Sequence, residues 1–87
     1  MKLECHITVD TVFAEKAEKV AKELHWKTSE IARDPLLGNK NFFYLTTHDT
    51  DFPRMWERMG TACANLANIN VPVLRQKIEL ILYDERF

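Results

Sequence analysis

The alternation from Lys2 to Asp10 constrains this chain more than any other stretch. Leu3, Cys5, Ile7 and Val9 fall on one face, while Lys2, Glu4, His6, Thr8 and Asp10 fall on the other. A period of two with β-branched members specifies a half-buried strand, because successive side chains of a strand point to opposite sides. An apolar row of this kind has to be covered by a second layer. The fold must therefore build a sheet around this strand, bury Leu3 to Val9, and leave Glu4, His6 and Thr8 on the other side.

The remaining patterns supply that second layer. Asp10 or Thr11 can cap a helix by accepting from its first free amides. In that helix Phe13, Ala17, Val20, Ala21 and Leu24 line one side, with Glu15–Lys19 and Glu18–Lys22 as supporting pairs on the other. Trp26 to Ile31 predicts a short strand, and Asp34-Pro35 and Gly38-Asn39 mark turns. Asn41 to Thr47, rich in aromatic and β-branched residues, predicts a second central strand. The stretch Thr47-His48-Asp49-Thr50-Asp51 offers several capping residues ahead of a helix expected from about Phe52 to near Ala67. Trp56, Met59, Cys63 and Leu66 give this helix its expected core stripe, and Gly60 is expected to permit close approach to the sheet. Val73 to Asp84 predicts the last strand, with Leu74, Ile78, Leu80 and Leu82 inward. Arg75, Lys77, Glu79 and Tyr83 point outward there, joined by Ile81.

This β-α-β-β-α-β order predicts one α+β domain over residues 1–87, a ferredoxin-like sandwich with two helices on one face of a four-stranded antiparallel sheet. The expected strand order is 4-1-3-2, with the first and third strands as parallel neighbours at the centre. The opposite face of the sheet is left open.

Composition narrows the function classes. Twelve basic residues against thirteen acidic give a formal charge of −1, so no general field draws the chain to nucleic acid or to an anionic membrane. No apolar run approaches the roughly 18–20 residues of a membrane span, and MKLECHITVD turns polar too early for a signal peptide. A soluble, cytoplasmic protein is expected. Cys5 and Cys63 occupy different elements without a CxxC pair and are expected as buried free thiols. His6, His25 and His48 lie in three different elements without zinc-motif spacing, so neither a metal nor another cofactor is expected.

The open face is the candidate site. It should carry Glu4, His6 and Thr8 from the first strand, Phe42, Tyr44, Thr46 and His48 from the third, and Arg75, Lys77, Glu79, Ile81 and Tyr83 from the fourth. This mixture can serve a protein partner or hold an anion through its many donors. The leading expectation is a non-enzymatic binding module, a homo-oligomer or the subunit of an assembly, using Glu4, His6, Thr8, Tyr44, Arg75, Lys77, Glu79 and Tyr83. Trp26 and the leucines Leu36 and Leu37 are further exposed-apolar candidates. An RNA-recognition role for Phe42 and Tyr44 lacks the K/R-G-F/Y-G/A-F pattern that such sheets carry.

The alternative comes from Cys5-His6-Ile7-Thr8-Val9, CHITV, which resembles the apolar–His–x–Thr–apolar motif of the 2H phosphoesterases. The resemblance implies His6 as an acid or base, Thr8 as a holder of a phosphate oxygen, and a nucleotide phosphoester as substrate. His48, in a second H-x-T triplet, is the counterpart it implies, and Arg75 or Lys77 would hold phosphate. The bland alternative for His48-Asp49-Thr50 is a helix-capping segment. Over the whole chain, WKTSEI, DPLLG, FYLTTH and VLRQKIELILYD look like small uncharacterised proteins of bacteria or their phages, a likeness that implies no activity.

Overall fold

In the computed structural model, residues 1–31 and 41–82 are described. The expected turns of residues 32–40, with Leu36 and Leu37, and the outward Tyr83 lie outside the described residues. The elements are β1 (Lys2–Asp10), a 3-10 turn (Thr11–Phe13), α1 (Ala14–Leu24), β2 (Lys27–Ile31), β3 (Phe42–Asp49), α2 (Phe52–Asn68) and β4 (Arg75–Ile81). They form an α+β layer structure whose sheet has the order β2-β3-β1-β4, with β1 and β3 central as expected.

Every neighbouring pair of strands is antiparallel, which corrects the parallel arrangement expected for the first and third strands. The reason is directional. The crossover through α1 returns the chain along β1's direction into β2, and β3 runs against β2, so β3 must also run against β1.

The apolar row of β1 forms the floor of the core. Leu3, Cys5, Ile7 and Val9 meet Phe43 and Leu45 of β3, Ala17, Val20 and Ala21 of α1, and Met55, Met59, Ala62 and Leu66 of α2. Fully burying an aliphatic side chain such as Ile7, Leu45 or Leu66 is worth about 1.5–3 kcal/mol each. The Asp10 side chain accepts from the Val12 amide at 2.9 Å and caps the 3-10 turn that leads into α1. At the far end of α1, His25 adopts φ 61°, a left-handed helix stop. The Trp26 amide then donates to Ala21 O at 2.8 Å. That reversal turns the Trp26 ring into the core, 6% exposed, and removes it from the exposed-apolar candidates.

Three further expectations are corrected. Trp56 is 60% exposed and stacks on Phe52, with centroids 6.3 Å apart. The stripe that α2 buries is Met55, Met59, Ala62 and Leu66, rotated from the expected one so that Trp56 falls on the flank. Gly60 is exposed, and a Cβ built on it would meet no atom within 4 Å, so close packing is not what it provides. The last strand is shorter than the expected Val73 to Asp84, so Leu74 and Leu82 flank β4. Both are exposed, Leu80 within it is exposed too, and of the inward set only Ile78 packs against the core. β4 is an edge strand lying beyond the cover of α2. The Cys63 thiol of α2 donates to Gln76 Oε1 of β4 at 2.9 Å.

Both cysteines are free. Burial, with the neighbouring Cys63, pushes the Cys5 thiol up to about 12, and burial raises that of Cys63. Among the described residues no helix is long and apolar enough to cross a membrane.

Candidate functional site

The polar row of β1 lies in register with outward rows of both neighbours. Glu4 faces His48 on β3 and Glu79 on β4, His6 faces Thr46 and Lys77, and Thr8 faces Tyr44 and Arg75. On the far side of β3, Lys27 faces Thr46 and Ser29 faces Tyr44. Every described residue of the expected patch therefore lies on the face opposite the helices. Tyr83, the remaining member, is outside the described residues. Thr8 is buried in its row, while the others are half-buried or exposed. Phe42 shares this face but is buried, so it offers no stacking platform for a base.

β3 extends to Asp49, two residues beyond the expected end at Thr47, and this extension places His48 in the sheet. The carboxylate of Glu4 then joins both imidazoles. Its Oε1 lies 2.5 Å from Nε2 of His6 and its Oε2 lies 2.5 Å from Nε2 of His48. An ionised carboxylate only accepts, so each Nε2–H donates to it. Nδ1 of His6 sits 2.9 Å from Thr46 Oγ1, which fixes the ring. Burial alone would push the Glu4 carboxyl up, but the bonds from His48 and His6 outweigh it and hold the group below its ordinary value. Beside this trio, Lys77 Nζ pairs with Glu79 Oε1 at 2.6 Å.

The segment Thr47-His48-Asp49-Thr50-Asp51 thus divides its work. His48 belongs to the open face. Asp51 caps α2 by accepting from the Arg54 amide at 3.0 Å. Asp49, on the helix side of the sheet, accepts from the Thr50 and Asp51 amides and from the guanidinium groups of Arg54 and Arg58. The Arg54 guanidinium and these other donors hold the Asp49 carboxyl well below the usual carboxylate range. Arg58 also donates to His48 O at 2.9 Å and to Thr47 Oγ1 at 2.7 Å, so the strand that carries His48 is tied to the first turns of α2.

Sequence reasoning does not single out Thr46 as a partner of His6, nor Arg54 and Arg58 as the clamp on Asp49. Thr46 sits on the expected face, and strand register alone would have paired it with His6. The arginines carry no comparable signal, because they look like ordinary solvated positions of a helix. A shallow concavity of 870 Å³ lined by Cys63, Asn70, Pro72, Leu74, Arg75 and Gln76 lies apart from the Glu4–His6–His48 cluster. No known protein-family model matches the chain, and no curated protein matches it in sequence.

Proposed function

We propose that this chain is a small cytoplasmic binding module of ferredoxin-like architecture whose open sheet face engages a protein partner, in the first instance a second copy of itself. One observation carries this reading: Glu4, His6, Tyr44, His48, Arg75, Lys77 and Glu79 share a continuous register on the face that the helices leave uncovered. The face also suits isologous pairing. Arg75 and Lys77 precede Glu79 along β4, so a twofold axis near His6 can set the basic end of one copy against the acidic end of the other. A formal charge of −1 adds little repulsion.

The 2H-like reading has one observation in its favour, since His6 and His48 lie on one face and Lys77 lies opposite His6. Against it, both imidazoles spend their Nε2–H groups on Glu4, and that carboxylate places negative charge between them where a phosphate would have to sit. Two general acid–base groups flanking a substrate need a gap there.

Sedimentation equilibrium tests the proposal. The wild type should run above its 10.2 kDa chain mass, and Arg75→Glu combined with Lys77→Glu should return it to the monomer. A wild type that stays monomeric through the high micromolar range refutes self-association. Turnover of a 2′,3′-cyclic nucleotide that disappears in His6→Ala would promote the phosphoesterase reading in its place.

A further inference from the structure

We propose that Glu4, His6 and Glu79 bind a divalent transition-metal ion, zinc matching the donors best, with His48 as the positioning residue that orients Glu4. One ligand atom from each of the three lies within 4.8 Å of the other two. β1 supplies Glu4 and His6 two residues apart on one face, and β4 supplies Glu79 directly opposite Glu4. That register is itself a reason for a cation, because like charges directly opposite each other on neighbouring strands are destabilising. Lys77, paired with Glu79 Oε1, relieves part of that repulsion.

The surroundings of the first two ligands match what a metal needs. An imidazole that binds through one nitrogen is normally anchored through the other, and ligating carboxylates are normally hydrogen-bonded themselves. His6 has Thr46 Oγ1 at its Nδ1, and Glu4 has His48 at its Oε2. When Nε2 of His6 binds the ion, the neutral imidazole holds its single proton on Nδ1 and donates it to the Thr46 hydroxyl. Zinc–ligand bonds of about 2.0–2.2 Å place tetrahedral ligand atoms about 3.3–3.6 Å apart. To meet that spacing the exposed Glu79 side chain would have to swing inward, and the 2.5 Å contact between Glu4 and His6 would have to open.

One imidazole with two carboxylates favours zinc over magnesium or calcium, which prefer sites made wholly of oxygen. Three protein ligands leave one tetrahedral position for water or for an atom of another molecule. The inference rests on reading this face as a binding surface, but the metal needs only one copy of the chain.

Equilibrium dialysis of the chain against Zn²⁺ alone, with Mg²⁺ as the contrast, tests the site. The expected result is one Zn²⁺ per chain in preference to Mg²⁺, weakened about 10- to 100-fold in His6→Gln and Glu79→Gln and unchanged in Cys63→Ser. Far-UV circular dichroism checks that each variant is folded, and Glu79→Gln, at an exposed edge position, keeps the test valid if His6→Gln does not fold. His48→Gln should weaken binding about 10-fold and alter the ligand-field spectrum of bound Co²⁺, a change that a purely structural role would not produce. Absence of Zn²⁺ binding overturns the proposal, as does binding that survives Glu79→Gln but disappears in Cys63→Ser. Zinc bound to a chain that stays monomeric would support the metal site while refuting self-association. A dimer without zinc would do the reverse.

Discussion

Replacing Gly60 with alanine should stabilise this protein, although glycine at that position reads in sequence as a concession to tight packing. Gly60 lies in the interior of α2, is exposed, and its missing Cβ would meet no atom within 4 Å. The substitution therefore gains helix propensity, about 0.8–1 kcal/mol, without steric cost. In a domain of this size that gain raises the melting temperature by about 4–8 °C. With a urea slope of about 1 kcal/mol/M it shifts the midpoint by about 1 M at unchanged slope. Ala64→Gly supplies the internal control. It sits one turn further along on the exposed side of the same helix and should cost about the same amount, so the double variant should unfold close to the wild type. If Gly60→Ala is neutral or destabilising while Ala64→Gly still costs its expected amount, position 60 is crowded, and the helix layer rather than the open sheet face becomes the surface that meets another molecule.

Three further outcomes follow from named contacts. The two tryptophans should behave in opposite ways. Trp56→Ala should cost less than about 0.5 kcal/mol as a surface change, whereas Trp26→Ala should cost about 3–5 kcal/mol as a core deletion; equal shifts in urea midpoint would contradict the burial of Trp26. The raised thiol of Cys5 gives an alkaline limb. The unfolded thiol ionises above roughly pH 9 while the folded one resists to about 12, so stability present below that range should fall by about 1.4 kcal/mol per pH unit as pH rises through it. Cys5→Ala should flatten that limb, and an unchanged slope would sink the argument. Asp49 works at the acid end. Its depressed carboxyl stabilises the fold above the ordinary aspartate range, and the contribution is lost only as pH falls through the folded value. Asp49→Asn should therefore unfold at lower urea than the wild type at pH 7, with the gap narrowing below about pH 4. A gap that does not depend on pH would show that the charge of Asp49 is not what matters.

Residue pattern carries the fold well where one periodicity dominates. The β1 alternation identifies Leu3, Cys5, Ile7 and Val9 as core and Glu4 and His6 as open face, because a one-residue slip would invert every side chain. The stripe of Ala17, Val20 and Ala21 in α1 is legible for the same reason. Pattern fails where tertiary geometry decides. Trp56 and Met55 are adjacent in sequence and both apolar, and which of them is buried depends on the face that α2 turns to the sheet. Leu74, Leu80 and Leu82 look inward by alternation, but Leu74 and Leu82 lie outside β4 and Leu80 sits toward the end of an edge strand, where all three are exposed. The candidate site is legible as a face and not as a constellation. Period two places Glu4, His6 and Thr46 outward, yet the sharing of Glu4 between two imidazoles requires β3 to continue to Asp49. The capping residues that follow make that continuation look like the end of a strand. Spacing along the chain also cannot reveal Glu79 opposite Glu4, since 75 positions separate them and only the β1–β4 register brings them together.

The most direct test of the central claim is to locate the contact surface between copies. Intermolecular nuclear Overhauser effects, recorded on a mixture of isotope-labelled and unlabelled chains, report which side chains meet. Contacts from the Tyr44 ring, the Thr46 methyl and the His6 and His48 imidazoles to the partner copy are predicted. Contacts confined to Phe52, Trp56 and Leu80 would contradict the account, because they would place the interface on the flank of α2 and the β4 edge and leave the polar sheet face in water.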